Sequence, residues 1–335
     1  MPFTIRKEQH QTSNGIDGTI HMLEDPGRAG IEVWPAFGFN CIRWYSSRRG
    51  HVRDWLYSAP TLFEDTRPTR SGIPILFPFP NRIRDGKFHW QGKSYELPIN
   101  DPDNRNTIHG FACRNSWRII DTGTDDHCAW IRGAFDPVLD APDCVSLWPA
   151  KYVLEVEYRI SVTGLKIEAV VTNPDVVPLP FGIGYHPYFR MMDDETTTVV
   201  QVSADKYWPL QETLPGKSTA DVDAARDFRN PKNLNGVKVD DILTGLPTVP
   251  EGVDLQKLGT VSKSDDSCSL EVFADTHFRE LVLFIPPHRE AVCLEPYTCT
   301  TDAIHLQQEG VDAGWMELAP GNRWVGVVEL RTHMP

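Results

Sequence analysis

No apolar run in this chain approaches the roughly 18 residues that a membrane-spanning helix needs. The opening Met1-Pro2-Phe3-Thr4-Ile5-Arg6-Lys7-Glu8 turns polar before an apolar signal core could form, so a cytoplasmic protein with no membrane partner is expected. Positive charge is also short. Against 46 acidic side chains stand 33 Lys and Arg, a formal net charge of −13, which argues against nucleic acid as a partner and leaves room only for a local basic pocket. The seven cysteines (Cys41, Cys113, Cys128, Cys144, Cys268, Cys293, Cys299) are odd in number and scattered, with no C-x-x-C, and read as reduced thiols. The chain has no G-x-x-x-x-G-K-S/T, no H-E-x-x-H, no G-x-S-x-G and no complete G-x-G-x-x-G. Gly182-Ile183-Gly184 is a fragment of the last, with Pro187 in the third glycine's place. No two histidines share a close metal-ligand spacing, so neither metal nor cofactor is expected.

Helical periodicity is scarce too, and there is neither an internal repeat nor a low-complexity linker. What is present is punctuation: 27 prolines and 24 glycines divide the chain into short segments. In Tyr152–Val171, apolar residues alternate with polar ones on both sides of a Thr163-Gly164 turn, the pattern of an antiparallel hairpin with one buried face. Lys87–Leu97, turning at Gln91-Gly92, predicts a second hairpin. Trp315–Leu318 and Trp324–Leu330 about Pro320-Gly321-Asn322 predict a third. Helix is expected only in short pieces such as Asp221–Phe228, and the polar stretch Pro209–Lys238 reads as an excursion within one domain. The expected architecture is all-β, a large antiparallel β sandwich forming a single domain over residues 1–335 with a ligand on one concave face.

Four stretches carry chemistry. The apolar run Ser71–Pro80 ends abruptly in Asn81-Arg82, where the arginine fork suits a polyhydroxyl ligand or a salt bridge. In Asn106-Thr107-Ile108-His109-Gly110-Phe111, a histidine beside glycine can touch a ligand or bond to the backbone of its turn. In Pro180–Phe189, Gly182 and Gly184 admit close neighbours and Pro187 restricts His186 to an extended or turn conformation. In Ala291–Tyr297, Glu295 ends an apolar strand, and a carboxylate at that depth requires a partner, either for catalysis or as an ion pair with arginine. Asp240-Asp241 is a weaker acidic candidate. Two histidines, a glutamate, an arginine and an aspartate on a β scaffold suit acid–base work on a neutral polar substrate.

These stretches, in this order, resemble the aldose 1-epimerase (mutarotase) family: Gly72-Ile73-Pro74 to Asn81-Arg82-Ile83, Ile108–Phe111 with Trp117, Gly182–Phe189, Val239–Leu246, and Leu294–Thr298 with Asp302-Ala303. The resemblance implies a β-supersandwich and a cofactor-independent exchange of hexose anomers. It implies Glu295 as base, His186 as acid and His109 as the second catalytic histidine. Arg82, Asn81 and Asp240 fall at sugar-contacting positions, with Asp241 adjacent. The small-molecule partner it implies is a sugar. Sugar-specific members often carry His-Gly-Gly where this chain has His109-Gly110-Phe111, which leaves open a free aldose or a hexose 6-phosphate. For the phosphate, Arg84, Arg105 and Arg114 are the candidate basic cluster. A non-catalytic sugar-binding protein is a further alternative. A glycosidase or lyase would normally need a second carboxylate or another dedicated acid–base set.

Overall fold

The computed structural model describes residues 2–247 and 253–335. Antiparallel sheets dominate, and the α-helices among the described residues are Pro137–Asp140 and Ala303–Gln308. A nine-stranded sheet runs in the order Arg118–Thr124, Cys128–Phe135, Val153–Ser161, Gly164–Thr172, Arg323–His333, Ser269–Ala274, Gln256–Lys263, Thr198–Val202, Lys232–Asn233. An eight-stranded sheet has at its centre Asp240–Thr244, Glu280–Phe284 and Ala291–Tyr297, with Gly184–Tyr185 and Tyr188–Arg190 both pairing to the last of these. A five-stranded sheet is built from consecutive strands between Thr4 and Asp54. One apolar core runs from Phe3 to Leu330 and draws on all three sheets. This is the β-supersandwich arrangement expected.

The longest alternating segment forms its hairpin, with Leu154 opposite Val171 and Tyr158 opposite Ile167. Its turn comes one residue early, at Val162-Thr163, and leaves Val162 37% exposed. Lys87–Trp90 pairs with Lys93–Glu96 through Gln91 and Gly92, both at positive φ, which matches the twist of a two-residue hairpin. The C-terminal hairpin is not formed. Met316–Leu318 pairs with Leu179–Phe181, whereas Arg323–His333 lies between Gly164–Thr172 and Ser269–Ala274. The backbone of Asn173 clasps the intervening turn, bonding to Asn322 and Gly321, and its side chain holds the Leu318 carbonyl, so the two strands leave towards different sheets. Nor is Asp221–Phe228 a helix. Asp221 bridges to Lys206, the Asp223 carboxylate accepts from the amides of Ala225 and Arg226, and Arg226 reaches out to Asp241 and lies over the Tyr207 ring.

Glu280 is the costly residue of the eight-stranded sheet. It is 0% exposed and accepts a hydrogen bond from Trp208 Nε1 at 3.1 Å. Burial pushes its carboxyl up to about 8 from an ordinary 4.5. Below the unfolded value both states hold the proton. As the pH rises towards the folded value only the unfolded chain ionises, so stability is lost across that window. Glu280→Gln keeps the shape without the titration. We expect it to melt close to the parent near about pH 5 and clearly above it near about pH 8.5, as read by thermal denaturation at both values. An equal difference at the two pH values would show that Glu280 does not titrate in this window.

Candidate active site

The strand Ala291–Tyr297 sets the site by simple alternation. Val292 and Leu294 belong to the main core, while Cys293, Glu295 and Tyr297 point to the other face. Across the sheet, Val282 lies opposite Glu295, and Asp240, Phe284, Cys293 and Tyr188 fall in one row. Gly184 lies opposite Tyr297, and a Cβ there would stand 2.3 Å from the Tyr297 ring, so only glycine leaves the ring its place. That ring matters because the Tyr297 hydroxyl donates to Glu295 Oε2 at 2.5 Å.

His186 is held over the same floor. Its amide bonds to the Pro74 carbonyl and that of Tyr188 to the Gly72 carbonyl, so the Gly72-Ile73-Pro74 segment fixes the height of the ring. Tyr188 stacks on it at 4.5 Å and places its hydroxyl 3.2 Å from Nε2. Nδ1 lies 3.4 Å from Glu295 Oε1, and both residues are buried. Desolvation governs this pair. It lowers the imidazole to about 3 and raises Glu295 well above the ordinary carboxylate value, with the Tyr297 hydrogen bond opposing and Asp240 adding to the rise. Burial therefore favours the arrangement in which the pair shares one proton and neither group is charged. The arginine ion pair considered for Glu295 is not what the structure holds; tyrosine and histidine are its neighbours.

His109 closes one side, its ring 5.6 Å from that of His186 at an edge-on 72°. It bonds reciprocally with Asn81: the His109 amide donates to the Asn81 carbonyl at 2.8 Å, and the Asn81 amide donates to His109 Nδ1 at 3.3 Å. Nδ1 is thus an acceptor, and the neutral ring carries its proton on Nε2. Burial first, then the charges of His186, Arg114 and Arg82, hold this imidazole well below its usual value. His109 is tied to its turn and also lines the cleft. The same is true of Arg82, which lines the cleft while its guanidinium reaches Asp101 at 3.4 Å and the Asn81 side chain at 3.1 Å. Burial opposes the charge on Asp101, but amide bonds from Asn106 and Arg105 outweigh it and keep the carboxyl low.

The cleft encloses about 330 Å³ and is lined by all six candidate residues, Asn81, Arg82, His109, His186, Asp240 and Glu295. The two adjacent aspartates Asp240 and Asp241 are placed differently. Asp241 turns away to Arg226 at 2.9 Å, whereas Asp240 faces the cleft. Asp240 keeps contact with solvent, yet the cleft walls raise its carboxyl, opposed by Arg82 and reinforced by Asp241. Of the three arginines considered for phosphate, only Arg114 lines the cleft. Arg84 is drawn off by Asp302 and Arg105 by Glu212. Sequence reasoning missed Tyr297 and Arg67 as cleft residues. Strand alternation was the available signal for Tyr297, two residues beyond Glu295.

The profile of the aldose 1-epimerase family matches residues 37–331. The chain belongs to that family. Among curated relatives, the uncharacterized protein YihR of Escherichia coli K12 is 25% identical over 253 residues, covering 74% of this chain and 76% of its own. A galactose mutarotase-like protein from Clostridium acetobutylicum superposes with a TM-score of 0.86 at 22% identity, covering 100% of this chain and 99% of its own. Galactose 1-epimerase from Lactobacillus acidophilus gives 0.76 at 18%, covering 99% of each chain. These likenesses establish the fold. Two marks of the aldose 1-epimerase resemblance also gain a physical reason. Phe111, in place of a second glycine, is buried edge-on against Phe79 and Trp148 and leaves the cleft unobstructed. Asp302 anchors the Arg82 segment: its amide donates to the Arg82 carbonyl and its carboxylate receives the Arg84 amide and lies 2.6 Å from His305 Nδ1.

Proposed function

We propose that this protein is an aldose 1-epimerase, interconverting the α and β anomers of a hexose without metal or nicotinamide, with residues 1–335 acting as one unit in a reducing compartment. The observation that carries the reading is the buried pair His186 Nδ1 and Glu295 Oε1, 3.4 Å apart at the floor of a cleft. Proton transfer within the pair, from carboxyl to imidazole, prepares it. The Glu295 carboxylate then takes the proton of the C1 hydroxyl while His186 gives one to the ring oxygen, and the C1–O bond breaks. The aldehyde turns about C1–C2, the ring oxygen attacks its other face, and both protons return. His109, with Nε2–H free to donate, assists at the ring oxygen. Arg82, Asn81 and Asp240 bind hydroxyls. A volume of about 330 Å³ is at the small end of ligand sites, which favours one sugar ring over a long chain. The continuous core supports the single unit, and the seven unpaired cysteines support the compartment. The test is catalysed conversion of fresh α-glucose and α-galactose followed by polarimetry or NMR. No acceleration over buffer with any aldose would remove the assignment. Exhaustive chelation is expected to leave the rate unchanged, because proton transfer within this pair requires no Lewis acid.

A second reading, a hexose 6-phosphate substrate, has one observation in its favour. Arg114 is exposed at the cleft and, among the described residues, its guanidinium has no carboxylate partner. If it meets a phosphate, Arg114→Ala should lower kcat/KM for glucose 6-phosphate by about 10–100-fold, the worth of one charged hydrogen bond, and leave free glucose unaffected. Equal effects on both sugars would count against the phosphate.

A further inference from the structure

Cys293 lies beneath the His186–Glu295 pair, fully buried and outside the cleft lining. It plays no part in anomer exchange as described above. Yet one ligand atom each from His186, Cys293 and Glu295 lies within 4.8 Å of the other two. Apart from its 3.4 Å approach to Glu295 Oε1, His186 Nδ1 has no hydrogen-bond partner, and that Oε1 is the oxygen that Tyr297 leaves free. Their 3.4 Å separation fits the nitrogen–oxygen edge of a tetrahedral zinc site, about 3.4 Å for bonds of the usual length. The sulfur needs to close by about 1.3 Å at most to reach its corresponding edge, about 3.5 Å.

We propose that His186, Cys293 and Glu295 form an inhibitory site for a thiophilic divalent cation, with zinc as the type case. The three side chains supply a nitrogen, a thiolate and a carboxylate, a donor set that suits zinc and excludes hard cations such as magnesium. The fourth position opens to the cleft and takes water. Binding replaces the thiol proton of Cys293 and the one proton shared by His186 and Glu295, and both protons pass to solvent. The loaded pair then has neither a base for the C1 hydroxyl nor an acid for the ring oxygen. Sequence spacing gives no sign of such a site, because its ligands come from the His186 segment and from alternate positions of a neighbouring strand.

The loss of activity rests on the reading above; the binding does not, so the test reads both. Chelator-treated, dialysed protein is titrated with zinc by calorimetry and with cadmium by ultraviolet spectroscopy, where a thiolate-to-cadmium band reports Cys293. We expect one zinc per chain, the cadmium band, a melting temperature that rises with zinc, and anomer exchange reduced by at least about tenfold at saturation. Cys293→Ala should retain basal exchange, lose the band and weaken zinc inhibition by about 10–100-fold or more. Cys144→Ser, at a part-exposed cysteine elsewhere, should behave as the parent. Should Cys293→Ala fail to fold, His186→Asn must lose the stoichiometric zinc instead. Absence of stoichiometric zinc or of the band in the parent, equal inhibition in Cys293→Ala, or faster exchange on adding zinc would each overturn the proposal. If no sugar is turned over at all, the band and its dependence on Cys293 still decide the site.

Discussion

Replacing Glu295 with glutamine is expected to cut catalysed anomer exchange by about 10²–10⁴-fold, the usual worth of a general base, while sugar still binds. The substitution preserves shape and leaves the amide oxygen able to receive the Tyr297 hydroxyl that now bonds Oε2 at 2.5 Å. It removes the acceptor for the C1 proton and the group that shares a proton with His186. Polarimetry of fresh α-anomer measures the rate, a sugar titration measures binding, and circular dichroism checks the fold. A folded Glu295→Gln protein with near-parental rate would take this carboxylate out of the mechanism. Gly184→Ala offers a check on the supporting geometry, since its Cβ competes for the space of the ring that orients Glu295.

The second large effect concerns His186 and pH. His186→Asn should lose a similar factor of about 10²–10⁴, because the departing ring oxygen would have no proton donor. In the parent, the working pair carries one proton. Gaining a second requires charging an imidazole that burial has lowered to about 3, and losing the only one requires ionising a carboxyl that burial has raised well above 4.5. The active form therefore begins above the lowered imidazole value, and kcat/KM should show no acid limb where an ordinary histidine titrates. An acid limb centred on the ordinary imidazole value of about 6.5 would mean that His186 titrates as an exposed histidine, and would sink the burial argument.

Much of this candidate site was readable because its titratable groups lie in short local strings. His186 is set by a proline after it and glycines before it, and Glu295 by an apolar strand leading up to it. What the strings do not contain is the pairing between them. That Tyr297 serves Glu295 depends on Gly184 lying opposite, and that Arg82 is aimed depends on Asp302, 220 positions away. Two of the three candidate arginines lie away from the cleft for the same reason, whereas Arg114 lines it. Arg84 and Arg105 lie near the motif in sequence, but Asp302 and Glu212, remote in sequence, draw them off. The third hairpin failed because the turn at Pro320-Gly321-Asn322 is clasped by Asn173. Its alternation was real, but alternation identifies a strand without naming its neighbour. At Asp221–Phe228, Asp223 and Arg226 found better partners outside a helix.

The reciprocal bonds between Asn81 and His109 have a consequence for anyone wishing to reshape this cleft. Each residue sits at positive φ, and each amide is satisfied by the other's backbone or ring. Two loops far apart in sequence are thereby fused into one rigid jaw of the cleft, while the opposite jaw, with Asp240 and Phe284, belongs to the sheet. A library that varies either member of the first pair alone would mostly sample broken loops. Arg114, Arg67 and Asp240 line the cleft without belonging to that reciprocal pair, and that is where side chains can be varied with the jaws left in register.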